Sequence, residues 1–372
     1  MLRAEEQPDV VQRLMNIRLA VKDGALRVFR GPLLRPPDEV MEKLSAELPR
    51  ETLPLLQQDE RLGAAIVLMP LSVEQQNLEK KTFPWVNWLL FGLTFLTTTW
   101  AGAAHQGINL LENPAAFAAG LPYSIALLGI LGVHEMGHYL IARSHKMNVT
   151  PPYFIPVPFA LGTFGAFIKM KSPPQNRTAM FDVAVAGPLA GLAVAVPALM
   201  IGLQNSIVVP GAGHDVSVME GASAGSSIML ALIAKVSLGQ ELQSGCVLRL
   251  SPLAFAGWLG LIVTALNLLP IGQLDGGHTA RAMFGTSAGR VISGIAMWSL
   301  VLLGLFVWPG LLTWAIIVYF IAGEGTPPQN DLTPIQGGRF WLGTFTFFIL
   351  VLIAAPLPRV FWDEAGIYCP YL

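Results

Sequence analysis

Seven apolar runs follow one another from residue 85 onward, at about 85–104, 117–143, 181–203, 252–276, 291–307, 309–323 and 340–357. Each is roughly 15–27 residues long, against about 20 needed to cross the hydrocarbon core of a bilayer. The pattern predicts a polytopic α-helical membrane protein with about 6–8 transmembrane helices. An eighth apolar stretch, SSIMLALIAKVSLG (226–239), carries Lys235 between Gly and Ser flanks and reads as an interfacial helix.

Ahead of these runs the pattern changes. ALRVFRG (25–31) has strand character, and PPDEVMEKLSAEL (36–48) has proline at a helix start and acids in its first turn. TLPLLQQ (52–58) and RLGAAIVLMP (61–70) read as two further strands around the turn Asp59-Glu60-Arg61. Residues 1–82 are therefore expected to form a small soluble α/β module of β-α-β-β type, followed by a membrane domain over 83–372. The module shows no catalytic constellation and reads as a binding or regulatory unit.

Composition agrees with this division. Charged residues make up 13% of the 372-residue chain, about half the share usual in soluble domains, and 25 of the 47 lie in residues 1–81. The net charge of −1 suggests no nucleic-acid partner. Cys246 and Cys369 make neither a disulfide framework nor a thiolate metal cluster, although one bridge between them stays open. The opening MLRAEEQPDVVQ is acidic and lacks an apolar core, so it reads as neither a signal nor a transit peptide. Arg143, Lys146, Lys169, Lys171 and Arg177 cluster after the second run, and Arg281 and Arg290 after the fourth. By the positive-inside rule the N-terminal module and the 144–180 and 277–290 loops are cytosolic, which leaves the C-terminus outside.

Two apolar runs carry polar residues that a lipid-facing helix would lack. In LGVHEMGHYLIARS (131–144), His134-Glu135-Met136-Gly137-His138 matches H-E-x-x-H. On a helix, positions i and i+4 share a face, so two imidazoles can grip one Zn²⁺ while the intervening glutamate acts as general base on its water. A shuffled chain of this composition would show the pattern only roughly 0.004 times. A carboxylate kept at mid-membrane costs about 2.5–3.5 kcal/mol on insertion scales, which argues for function. The bland alternative is a glutamate snorkelling to the helix end beside two histidines in a polar helix contact.

A catalytic zinc takes three protein ligands and leaves one position open. His105 and His214 fall on the predicted outer side, and His145 is nearly two turns past His138. Asp275, in LNLLPIGQLDGGH (266–278), is the better third ligand: it ends an apolar run that Pro270, Gly272, Gly276 and Gly277 make irregular. The alternative is a helix-end carboxylate meeting Arg281. Asp182 reads as a helix cap, Met180 and Phe181 as lipid contacts, and His278 as either a partner of Asp275 or an exposed histidine.

HEMGH on one helix and Asn267-Leu-Leu-Pro270-Ile-Gly-Gln-Leu274-Asp275-Gly276 on a later one together resemble the site-2 proteases, which are intramembrane zinc metalloproteases. Gly162-Thr-Phe-Gly165, Asp182-Val-Ala-Val-Ala-Gly187-Pro188-Leu-Ala-Gly191 and PPQNDLTP (327–334) extend the likeness, so that it covers about 117–335. The wording of these motifs and the N-terminal module are most similar to the cyanobacterial and chloroplast branch. The resemblance implies one Zn²⁺ per chain held by His134, His138 and Asp275, with Glu135 activating the zinc-bound water that attacks the peptide carbonyl. It implies Asn267 near the substrate backbone. Residues 153–172, with Gly162, Phe164 and Gly165, read as a re-entrant element offering a sheet edge to an unwound substrate. The 204–251 segment is too short for the PDZ domain that some members insert.

The expected activity is cleavage of a transmembrane segment of a membrane-protein substrate within the bilayer of a bacterial plasma (inner) membrane or a thylakoid. The alternative is a proteolytically inactive membrane binding or chaperone protein that retains the metal site. A zinc transporter would need more acids and histidines along its helices, and prenyl-protein peptidases use a downstream glutamate ligand with no counterpart here.

Overall fold

The structure, a computed structural model, describes residues 8–49, 51–70, 84–210, 227–239, 246–306, 310–321, 323, 325 and 327–355. His214 and Cys369 lie outside the described residues.

The N-terminal part contains α1 (Asp9–Leu14), β1 (Leu19–Asp23), β2 (Leu26–Gly31), α2 (Pro37–Glu47), β3 (Thr52–Asp59) and β4 (Gly63–Pro70). The strands form one antiparallel sheet in the order β1-β2-β4-β3. The helix and three strands expected from the sequence are present; α1 and β1 are additional. β1 (LAVKD) turns only Ala20 fully into the core, so its pattern carries little strand signal. The Asp59 carboxylate accepts the backbone N–H groups of Arg61 and Leu62, which closes the β3–β4 turn. Val40, Met41 and Leu44 of α2 and Val10, Val11 and Leu14 of α1 pack on Phe29, Leu56, Ile66 and Leu68, making a core on one face of the sheet.

The remainder is helical: α3 (Trp85–Ala104), α4 (Leu121–Ser144), α5 (Arg177–Gln204), α6 (Ile228–Leu238), α7 (Pro252–Leu268), α8 (Asp275–Phe284), α9 (Thr286–Phe306), α10 (Gly310–Ile321) and α11 (Arg339–Ala354). Two antiparallel strand pairs interrupt them, the hairpin of β5 (Tyr153–Pro156) with β6 (Thr163–Phe167), and β7 (Ile207–Pro210) with β8 (Cys246–Arg249), which flank α6. Among the described residues, three segments are long and apolar enough to cross a membrane: Pro114–Ser144, Arg177–Gln204 and Thr286–Phe306. α6, at 11 residues, is about 16 Å long and too short to span. The run expected to continue from 252 to 276 stops at Leu268. Pro270 and its neighbours form a loop, and Asp275 opens a new helix instead of closing the old one.

Small residues let these helices approach closely. A Cβ on Gly257 of α7 would stand 2.6 Å from the Leu199 backbone nitrogen of α5, and one on Gly202 would stand 2.2 Å from the Ala254 nitrogen. Backbone contact of this kind is how helices associate where no hydrophobic drive separates them from lipid.

A seam joins the N-terminal sheet to the helices. Residues 329–331 lie beside β3, the sheet's edge strand: the Leu56 N–H donates to the Gln329 carbonyl at 2.6 Å, and the Asp331 N–H donates to the Leu56 carbonyl at 2.9 Å. The other edge of the same segment pairs with the residues before α5, through Gln329 N–H to Pro174 O at 2.9 Å and Asn330 N–H to Gln175 O at 3.0 Å. The buried Asn330 amide donates to the Asp38 carboxylate (2.7 Å) and to Thr333 Oγ1 (2.9 Å). The N-terminal sheet, the segment before α5, the start of α9 and the loop after α10 thus meet at one end of the helices.

Asn330→Ala removes a buried amide that bonds Asp38, Thr333 and the Leu332 N–H and should cost the seam about 1 kcal/mol. Hydrogen exchange should then speed up at Leu56 and Asp331 but not in the β1–β2 hairpin; equal rates in both variants would disprove the docking role. Asp331 sits in the same seam, accepting the Thr286 N–H at 3.1 Å. Burial raises its carboxyl pKa more than Thr286, Arg177 and Arg281 lower it. The folded chain therefore keeps this proton to higher pH than the unfolded chain. The group costs stability as pH climbs from about 4 through its raised value, and nothing below that range. Asp331→Asn should flatten that part of the Tm–pH curve; an unchanged curve would remove Asp331 from the account.

Candidate metal centre

His134 and His138 face the same side of α4, one turn apart, and are 4% and 6% exposed. Their Nε2 atoms lie 3.1 Å from each other. Asp275 Oδ2 lies 3.4 Å from His134 Nε2 and 3.3 Å from His138 Nε2. A tetrahedral Zn²⁺ with bonds of about 2.0–2.1 Å separates its ligand atoms by about 3.3–3.4 Å, so this triangle has the size of one face of that tetrahedron. The tautomer fits as well. The His138 Nδ1–H faces the Val183 carbonyl at 2.8 Å, which fixes the ring and leaves Nε2 free to ligate. Asn267 Nδ2 stands 3.3 Å from His134 Nε2. Asp275 does not pair with Arg281, whose guanidinium donates to the carbonyls of Gly272 and Gly277.

Three devices place Asp275. The first turn of α8 packs against the end of α7 so tightly that a Cβ on Gly276 would stand 1.9 Å from the Leu268 carbonyl oxygen. Arg281 holds the 269–274 loop from within α8 through the Gly272 carbonyl. Arg177 at the start of α5 clamps the far end of α8 through the Ala282 and Met283 carbonyls at 2.8 and 2.6 Å.

The α4–α5 contact sets the histidines and was not legible in the motif. Gly187 and Gly191 form a G-x-x-x-G stripe on α5. A Cβ at Gly187 would stand 2.1 Å from His138 Nε2, and one at Gly191 would stand 3.1 Å from His134 Nδ1. The spacing was the available signal; its target was not. Gly187→Ala should push the His138 ring off its position and weaken zinc binding by about 10–100-fold, the cost typical of disturbing a ligand's support, with far-UV circular dichroism unchanged. Wild-type zinc retention against a chelator series would refute this.

Other expectations shift. Asn176, not Asp182, caps α5, accepting the Ala179 N–H at 2.8 Å. Asp182 pairs instead with Arg339 (2.7 and 2.9 Å) and His145 (3.0 Å), tying α4, α5 and α11 together. Met180 and Phe181 are 2% and 0% exposed, packed inside among Val185, Ala282 and Met283, and are not lipid contacts. His278 lines the cleft, and its buried Nδ1 has no hydrogen-bond partner among the described residues.

The metal-ligand set opens onto a cleft of about 830 Å³ lined by His134, Glu135, His138, Asn267 and Asp275 and by residues 166–174. Glu135 is 7% exposed and lines the cleft beside Ile168. Beyond β6 the strand continues: Thr150 N–H donates to Lys169 O and Lys171 N–H to Asn148 O, so residues 148–156 pair one edge of 163–171. The hairpin hangs from α3 and α4 through Thr97 Oγ1 to Gly162 O at 2.7 Å, Tyr123 Oη to Leu161 O at 2.9 Å, and Asn87 Nδ2 to the Pro151 and Pro152 carbonyls. Gly162, Phe164 and Gly165 belong to this hairpin but not to the cleft lining. Gly162 has φ +81°, and its Cβ would stand 2.5 Å from Thr98 Cα, which requires glycine there for packing alone.

The family model described as peptidase family M50 matches residues 122–307, half of the chain. The chain is 36% identical over 249 residues to "Probable zinc metalloprotease EGY1, chloroplastic" of Arabidopsis thaliana, covering 66% of this chain and 44% of that protein. It is 29% identical over 347 residues to "Probable zinc metalloprotease EGY2, chloroplastic" of the same plant, covering 90% and 61%. It is also 29% identical over 373 residues to "Probable zinc metalloprotease EGY3, chloroplastic" of Oryza sativa subsp. indica, covering 92% and 61%. The chain thus spans about half the length of the curated relatives it matches. No solved structure matches it.

Proposed function

Since the chain belongs to peptidase family M50, the site-2 proteases, we propose that it is an intramembrane zinc endopeptidase cutting a transmembrane segment of a membrane-protein substrate. The observation that carries this is the triangle of His134, His138 and Asp275, its two histidines buried together with Glu135 on a helix long and apolar enough to lie in a bilayer. One Zn²⁺ per chain, held by those three side chains, would supply a Lewis acid that polarises the scissile carbonyl and acidifies water to near neutral pH. The protein does the rest. Glu135 takes the proton from the attacking water and gives it to the leaving amide nitrogen. The edge of 166–172 not paired with 148–156 offers backbone groups to an unwound substrate, so that one carbonyl is held against the ligand set. Asn267 donates to that carbonyl or its neighbour, and Phe164 and Gly165 extend the same strand for the more distant substrate residues.

The 6–8 membrane spans, the division at residues 82 and 83, and a cytosolic or stromal position for the N-terminal module belong to this reading. Lys and Arg gathered at 143–177 support the sidedness. The relatives' chloroplastic names favour a thylakoid membrane over a bacterial plasma membrane. The test is the full chain in lipid vesicles with a model transmembrane peptide of about 24 residues broken by a central Asn-Pro pair. Mass spectrometry should place the cut inside the apolar segment. A zinc-loaded chain that binds the peptide and never cuts it would favour an inactive binding protein.

A further inference from the structure

The N-terminal sheet has a second apolar face. Leu56, Ile66 and Leu68 point to α1 and α2, while Leu53, Leu55, Val67 and Met69 alternate with them and point the other way. An antiparallel sheet with one packed face usually shows water polar residues on the other. Here Leu53, Leu55 and Met69 instead line the metal-centre cleft, the same cleft that Phe167 to Pro174, His134, Glu135 and Asp275 line. The sheet is held there by the pairing of β3 with 329–331 and by Asp38 accepting from both Asn330 and Thr333. It is a built wall.

We propose that this face is the roof of the substrate cleft, and that Leu53, Leu55 and Met69 select apolar side chains on the extended segment being cut. The inference rests on the peptidase reading above. An extended segment paired to 166–172 turns alternate side chains to opposite sides. With the metal ligands below the segment, every second residue faces the sheet. The occupant is a substrate strand, because the face lines the same cleft as the ligand set and as residues 166–172, whose second edge has no strand partner among the described residues. The N-terminal module would thus contribute specificity directly, from a part of the chain outside the catalytic helices.

The test is photo-crosslinking in the full chain carrying Glu135→Gln, so that substrate is bound but not consumed. Benzoylphenylalanine replaces Met69, Leu53, Met170 of the cleft floor, or Lys22 on the far edge strand, one at a time. The probe is the same Asn-Pro-broken apolar peptide. Met69 and Leu53 should capture it about as well as Met170, with Lys22 at background. Capture at Met170 with Met69 and Leu53 at the Lys22 level overturns the roof and leaves the peptidase reading standing. Silence at all positions overturns both. In the active chain, Met69→Ala should lower kcat/KM about tenfold for a peptide with leucines flanking the cut and much less for one with alanines. An equal fall for both peptides would make Met69 structural only and overturn its selecting role.

Discussion

Glu135→Gln should remove cleavage and leave zinc in place. Glutamine keeps the shape of glutamate, so packing around the 7%-exposed side chain is preserved. It cannot accept a proton. A positioned general base contributes about 10²- to 10⁴-fold, and Glu135 would serve twice, taking the proton from water and delivering it to the leaving nitrogen. The loss should therefore lie at or beyond the upper figure. The fall belongs in kcat with KM little changed, because no substrate contact is removed. Cleavage within tenfold of wild type, with zinc content equal, would end the general-base assignment.

Asp275→Ala should empty the site. The side chain supplies one of three ligand atoms that lie within 4.8 Å of one another, and losing only a ligand's outer partner already costs about 10–100-fold in affinity. Losing the ligand should cost more than about 100-fold, and activity should fall in step with bound metal. Asp182→Asn is the control. It removes a carboxylate at the same end of the helices, one that pairs with Arg339 and His145, and it should keep full zinc while lowering thermal stability. Metal analysis giving one zinc in Asp275→Ala, or none in Asp182→Asn, would reverse the assignment of the two acids.

The grouping of His134, His138 and Asp275 was more legible in the sequence than the architecture that supports it. The two histidines stand out through their helical spacing. Asp275 does so through being a lone acid in a stretch broken by proline and glycine. The same stretch was misjudged in direction: composition cannot tell whether a carboxylate ends one helix or begins the next, and only the turn at 269–274 decides it. Asp182 and Asn176 illustrate a related difficulty, since either could cap α5 and the choice depends on Arg339, more than 150 residues away. Gly187 and Gly191 carry a spacing that signals a close helix contact but not that the contact is with the metal ligands. Leu53, Leu55 and Met69 gave the weakest signal. Their strands were evident, but an apolar residue on the second face of a strand does not name what covers it.

The seam between Asp38 and Asn330 joins residues 292 positions apart, and this has a consequence for how the molecule is made. At about 5–20 residues per second on the ribosome, the N-terminal sheet, which ends at Pro70, is complete about 13–52 s before the segment that secures it has been synthesised. α4 and α8, which carry the metal ligands, also leave the ribosome before that segment. The sheet can settle against the helices only after residues 329–331 have been made, so this docking follows the synthesis of the helices that carry the candidate metal ligands.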